Sequence, residues 1–67
     1  MTDKEIHTLG YWIQIVPLAR HNTWGYAIYK KLKISWRTEL TRFGFEGPFE
    51  ARNAAEKELK FIINLKV

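Results

Sequence analysis

The amino-acid sequence predicts an α+β domain in which a three-stranded antiparallel sheet packs one face against a single C-terminal helix (βββα). Residues 11–16 and 24–30 are rich in β-branched and aromatic side chains, as strands are. Residues 32–41 alternate between apolar and polar side chains, which is typical of a half-buried strand. From Glu50 onward the apolar residues recur at helical spacing instead. At 67 residues the chain can form one core and no second domain.

The first strand should follow a loose, polar arm at residues 1–9, so that residues 10–67 form the folded domain. Pro17 should end this strand or mark a sheet edge, because proline has no amide proton for the hydrogen-bond ladder. Asn22 supplies turn chemistry before the second strand, at residues 24–30.

The third stretch, residues 32–41, can be interpreted as a strand or as containing a short helix, and we favour the strand. The alternation continues through ten residues, and Trp, Thr and Ile all favour an extended backbone. The second β-turn should then lie near residues 31–33. The alternative is a short helix within residues 35–43. Trp36, Leu40 and Phe43 also recur at helical spacing, and Ser35 and Gly44 would cap the two ends.

The C-terminal helix should present one apolar stripe to the sheet. Gly47 and Pro48 interrupt the preceding strand, and the alanines near the start of the helix allow a close approach. The residues of the stripe are Ala51, Ala54, Ala55, Leu59, Ile62 and Ile63.

Composition excludes several classes of protein. With 46% hydrophobic and 15% aromatic residues, the chain has too many core formers for a disordered segment. The sequence contains no cysteine, which excludes a disulfide framework and a thiolate zinc site. No apolar stretch approaches the length of a membrane span, so we expect a cytoplasmic protein.

The sequence carries no recognisable catalytic constellation. His7 and His21 stand apart, and neither is spaced to form a metal pair with another ligand type. A glycine-rich phosphate loop and a nucleophile elbow are both missing. We therefore predict a binding protein that is not an enzyme and that uses no cofactor and no metal.

Positive charge is concentrated in the middle of the chain. Residues 20–42 hold six basic residues against Glu39 alone, a net charge of +5, whereas the five basic and six acidic residues elsewhere leave −1. The middle third could therefore meet an anionic partner.

Strand parity divides the predicted sheet into a face under the helix and an open face. We expect Trp24, Tyr26 and Ile28 of the second strand to point toward the helix. The third strand should add Ile34, Trp36 and Leu40 to that face, with Ser35 pointing away. The candidate binding residues on the open face are Trp12, Gln14, Tyr29, Lys31, Lys33 and Arg37.

Two functions fit such an aromatic and basic surface. The first is binding of nucleic acid, DNA in particular, because Lys and Arg neutralise phosphates and aromatic rings stack on bases. The alternative is a protein-binding adaptor, inhibitor or accessory subunit, or a homodimer, docked through apolar residues such as Trp12 and Val16. A third interpretation is that the lysines only solvate and protect a sheet edge.

The order of motifs resembles the three-strand-plus-helix DNA-binding domains of the AP2 and integrase N-terminal type. The similarity covers residues 11–63 and is carried by Trp24-Gly25-Tyr26-Ala27-Ile28, a basic strand, and Gly47-Pro48-Phe49-Glu50 before an alanine-rich helix. The resemblance implies DNA contacts from the face away from the helix, at Tyr29, Lys31, Lys33 and Arg37. The first strand lacks the paired arginines of the plant members and has Trp12, Gln14 and Val16 instead.

The chain is also similar to short cyanobacterial domains of unknown function. These join an aromatic strand to a Gly-Pro-Phe turn and a helix, as Tyr11-Trp12 and Gly47-Pro48-Phe49 do here. This similarity implies a protein-binding accessory role.

Overall fold

A computed structural model describes residues 1–65 and confirms the α+β class and the βββα arrangement. The three strands form one antiparallel sheet in the order β1-β2-β3. A short helix precedes the sheet and a long helix follows it. The elements are α1 (Asp3–Thr8), β1 (Tyr11–Leu18), β2 (Thr23–Lys31), β3 (Trp36–Phe45) and α2 (Pro48–Leu65).

The connection between β1 and β2 is a single turn of 3₁₀ helix at Ala19–His21, closed by Asn22. Asn22 has a φ of 51°, in the left-handed region that asparagine tolerates better than most residues. Pro17 lies inside β1 rather than at its end. It is accommodated there because β1 is an edge strand.

Strand β3 carries two bulges, which decide where its side chains point. Leu40 pairs with Ile28 and Thr38 pairs with Tyr29, so Glu39 is an extra residue in the strand. A second register shift leaves Gly44 extra, and its φ of 101° is one that glycine adopts readily. Each extra residue moves the side chains beyond it to the opposite face of the sheet.

The core lies between the sheet and α2. Ala51, Ala55 and Leu59 of the predicted apolar stripe are fully buried. The small alanine side chains let α2 lie close to the strands. The cluster of buried residues comprises Ile6, Tyr11, Ile13, Tyr26, Ile28, Ala55 and Leu59.

The expectation of a loose arm at residues 1–9 is wrong for the segment that forms α1. Thr2 and Glu5 form a capping box at its start, and Ile6 is only 1% exposed within the core cluster. An ion pair of 2.7 Å between Asp3 and Arg52 joins α1 to α2. A six-residue helix with one buried residue has no visible periodicity, so the Thr-x-x-Glu capping pattern was the only sequence signal for it.

Helix α2 begins at Pro48, two residues before the predicted start. Proline suits this first position because its missing amide proton would have no partner within the helix. Neither helix of residues 1–65 has the length and hydropathy needed to cross a membrane.

Candidate functional site

The face of the sheet opposite α2, called the open face below, collects aromatic and small side chains from all three strands. The residues on this face follow from the alternation of side chains along each strand and from the pairing register between the strands. They are Trp12, Gln14 and Val16 of β1, Gly25, Ala27, Tyr29 and Lys31 of β2, and Trp36, Thr38, Thr41 and Phe43 of β3.

Four rings gather at one end of the open face, and we call them the aromatic cluster: His7, Trp12, Tyr29 and Trp36. Trp12 is 40% exposed and Trp36 is 42% exposed, so both present ring surface to solvent. Trp12, Tyr29 and Trp36 line a shallow pocket of about 260 Å³. The His7 ring lies 6.2 Å from the Trp12 ring and 5.8 Å from the Trp36 ring, centroid to centroid.

The backbone and hydrogen bonds beneath the cluster fix its geometry. Trp12 and Tyr29 are directly paired across β1 and β2. The Tyr29 hydroxyl donates a hydrogen bond of 2.8 Å to Oε1 of Gln14. The Lys31 amide donates to the Gly10 carbonyl at 2.8 Å, which ties the end of β2 to the start of β1. The Trp12, Tyr29 and Trp36 rings therefore project from a paired sheet rather than from a loop. Little side-chain freedom would be lost if they bound a partner.

The other end of the open face is flatter. The Phe43 ring lies over Gly25, where a side chain on β2 would collide with it. Phe43 is 47% exposed, while Ala27 is buried in the middle of the face. This half of the face offers apolar surface through the Phe43 ring.

The structure brings together four of the six predicted binding residues and separates two from them. Trp12, Gln14, Tyr29 and Lys31 all lie on the open face. Lys33 lies in the turn at residues 32–35 instead of in a strand.

The outward placement of Arg37 is wrong. The bulge at Glu39 puts Arg37 opposite Lys30, on the helix side of the sheet. There its Nη2 lies 2.6 Å from the Glu39 carboxylate.

The inward placement of Trp36 is wrong for the same reason. Alternation from Leu40 predicts that Trp36 lies under the helix, but the extra residue between them turns the indole onto the open face. Ile34, also expected inward, lies in the turn and is 98% exposed. Ser35, expected to point outward from a strand, lies in the same turn. No local sequence signal marks the bulge, because glutamate is not a typical bulge residue.

His7 belongs to the cluster, although no pattern in the sequence predicts its place there. It is five residues from Trp12 but would lie in a loose arm in the predicted fold. Helix α1 orients it by burying Ile6, the preceding residue.

Charge around the site is positive and sparsely distributed. Lys31 is paired with Trp36 in the sheet, and Lys33 follows in the turn beside them. Lys30 points to the helix side, where its Nζ lies 5.8 Å from the centroid of the Tyr11 ring. Among residues 1–65, no group of three or more His, Asp or Glu side chains is placed to hold a metal ion.

Comparison of the chain with protein-family models, with curated proteins and with solved structures finds no match. The resemblances to the AP2 and integrase N-terminal type and to the short cyanobacterial domains therefore stay predictions.

Proposed function

We propose that this protein is a small, non-catalytic module that binds nucleic acid through the open face of its sheet. The observation that carries the proposal is the aromatic cluster, of which three exposed or half-exposed rings, one from each strand, lie on the sheet face of a domain with a net charge of +4. Nucleic-acid-binding sheets combine these two properties, because rings stack on bases while cations neutralise phosphates.

The distribution of acidic groups supports the proposal. Three carboxylates are held in ion pairs, Asp3 with Arg52, Glu39 with Arg37, and Glu56 with the amino group of Met1. None of the three lies at an open-face position of the sheet register. The cations next to the aromatic cluster, Lys31 and Lys33, have no ion pair of 4.0 Å or less within residues 1–65. They are available to phosphates.

The direct test is an equilibrium titration of fluorescein-labelled oligonucleotides, followed by fluorescence anisotropy at low salt. DNA and RNA should be offered as single strands and as duplexes. We expect micromolar or tighter binding of at least one of them, with an affinity that falls as salt rises. The absence of binding to all four nucleic acids at low salt would contradict the proposal.

The exposed apolar residues around the open face favour a second candidate, docking of a protein partner. Trp36, Phe43, Leu32 and Ile34 are all at least 40% exposed, and outward apolar groups of this size are common in protein interfaces. Such docking would be nearly independent of salt, whereas phosphate contacts are not. The salt dependence of binding therefore separates the two candidates.

A cytoplasmic location, an absence of catalysis and an absence of cofactors remain predictions from the sequence. All three predictions are compatible with the proposed function.

A further inference from the structure

We infer that the nucleic acid bound by the open face is single-stranded DNA, with its bases stacked on Trp12 and Trp36. This inference rests on the proposed function and makes it more specific. It follows from three features of the site: the position of the cations, the shape of the aromatic cluster and the polarity of its lining.

The cations are poorly placed to hold a duplex. A sheet in the major groove needs several phosphate contacts and long donor side chains that reach base edges. Of the three cations predicted for this purpose, only Lys31 projects from a strand of the open face. Arg37, the one guanidinium among them, is on the helix side and paired with Glu39.

The aromatic cluster suits bases whose faces are accessible. Trp12 and Trp36 lie on the two outer strands, with Tyr29 of the central strand between them. The pocket of about 260 Å³ is smaller than the roughly 300–1,000 Å³ typical of sites that enclose a ligand. Its exposed rings offer surfaces on which about two or three bases could stack, as in other aromatic-bearing sheets. In a duplex those base faces are already stacked on one another, so only a single strand can use them.

The positive charge beside the aromatic cluster favours a negatively charged DNA strand over an uncharged partner on the open face. Lys31 is the cross-strand neighbour of Trp36, and Lys33 lies in the turn that follows. A strand stacked on the indoles would carry its phosphates along the same edge of the sheet. Two or three phosphate contacts there would supplement the stacking.

The lining favours deoxyribose over ribose. The pocket is walled by Trp12, Tyr29 and Trp36, and the Tyr29 hydroxyl already donates its proton to Gln14. A ribose 2′-hydroxyl packed against the indole faces of Trp12 and Trp36 would lose water without gaining a hydrogen-bond partner from those faces. A deoxyribose loses nothing.

The test compares a labelled single-stranded 12-nucleotide DNA of mixed sequence with its duplex and with the RNA of the same sequence, by fluorescence anisotropy at low salt. We expect the single-stranded DNA to bind at least about 10-fold tighter than the duplex and at least as tightly as the RNA. Trp12→Ala and Trp36→Ala should each weaken binding about 5- to 100-fold, and Trp36→Phe should restore part of the loss. Phe61→Ala, which alters an exposed ring on α2, is the matched control and should bind as the parent protein does.

Each other outcome has a distinct meaning. Tighter binding of the duplex would overturn the inference and leave the proposed function standing. Equal binding by Trp12→Ala and Trp36→Ala proteins whose circular dichroism is unchanged would overturn the inference and also the assignment of the open face as the binding surface. RNA bound 10-fold tighter than DNA would overturn the assignment to DNA. Failure to bind any nucleic acid, with salt-independent capture of a protein instead, would overturn both the inference and the proposed function.

Discussion

At the scale of single residues, the open face depends on one glycine. A Cβ atom at Gly25 would collide with the Phe43 ring and with the backbone carbonyl oxygen of Arg42. The ring can rotate, but the carbonyl belongs to the neighbouring strand and cannot move without breaking the ladder. Glycine is therefore required here by the close approach of β3 to β2, and its empty side-chain position is filled by Phe43.

Replacing Gly25 with alanine should thus destabilise the domain, by about 1–3 kcal/mol, because the overpacked strand pair must separate. Urea unfolding followed by circular dichroism would measure the loss. Thr41→Ala, an exposed change on the same face, should shift the free energy of unfolding by no more than about 0.5 kcal/mol. A Gly25→Ala protein as stable as the parent would show that the two strands are further apart than described.

The ionisation of Tyr26 makes the stability of the folded protein depend on pH. Its phenol is 3% exposed, and burial raises its pKa above the ordinary 10.0, helped by the negative charge of Glu58 and opposed by Arg42. Because the pKa is higher in the folded protein than in the unfolded chain, the folded state keeps this proton more readily. The resulting stability is fully present below pH 10 and is lost as pH rises through the folded pKa.

Tyr26→Phe should remove that alkaline loss. We expect the variant to lose less free energy of unfolding than the parent between pH 9 and about pH 11. Urea titrations of both proteins at these two pH values give the comparison, and the other tyrosines cancel in the difference. Equal losses in the two proteins would mean that Tyr26 ionises as it does in the unfolded chain.

At the scale of secondary-structure elements, α1 is part of the folded unit. It contributes Ile6 to the core, an ion pair to α2 through Asp3, and the His7 ring to the aromatic cluster. The capping box at Thr2 and Glu5 fixes its first turn. One short helix therefore supports both the core and the candidate site.

Ile6→Ala should consequently cost about 2–5 kcal/mol, which is enough to unfold most of a domain of this size. Ile6→Val, at about 0.5–1.5 kcal/mol, keeps the comparison measurable if the alanine variant does not fold. Thermal melts would report both changes, with exposed Lys4→Ala as the control. If neither change at Ile6 lowered the melting temperature, the prediction of a loose arm at residues 1–9 would stand.

The elements were predictable from the sequence wherever one periodicity ran without interruption. The α2 stripe of Ala51, Ala55 and Leu59 is buried as predicted, and β1 alternates as its residues indicate. Strand β3 was predicted, but it runs over Trp36–Phe45 instead of residues 32–41. Its faces were also predicted wrongly, because the bulge at Glu39 breaks the period of two that parity requires. An extra residue is a property of the pairing between two strands, and nothing in either strand alone reveals it.

The same break explains how much of the candidate site could be predicted. Trp12, Gln14, Tyr29 and Lys31 come from regular stretches of β1 and β2, and they lie where parity puts them. Trp36 and Arg37 precede the bulge in β3, so they exchange faces. The predicted aromatic and basic surface thereby becomes a mainly aromatic one.

At the scale of the whole molecule, the sheet separates two roles. Its inner face and α2 hold the buried apolar core, and its outer face carries partly exposed rings. Exposing two tryptophans in a domain that has only three is costly for so small a core. The arrangement is most economically explained if the exposed indoles contact a partner.

The three tryptophans allow this claim to be tested in one experiment. Trp12 and Trp36 lie on the open face, whereas alternation from Tyr26 puts Trp24 on the side of α2. Each indole Nε1–H gives a separate signal in a ¹H–¹⁵N spectrum, which can be assigned by substituting each tryptophan in turn. During titration with single-stranded DNA, the Trp12 and Trp36 indole signals should shift or broaden while the Trp24 signal stays in place. A shift confined to Trp24, or a titration that binds DNA without moving the signals of Trp12 and Trp36, would contradict the assignment of the open face as the binding surface.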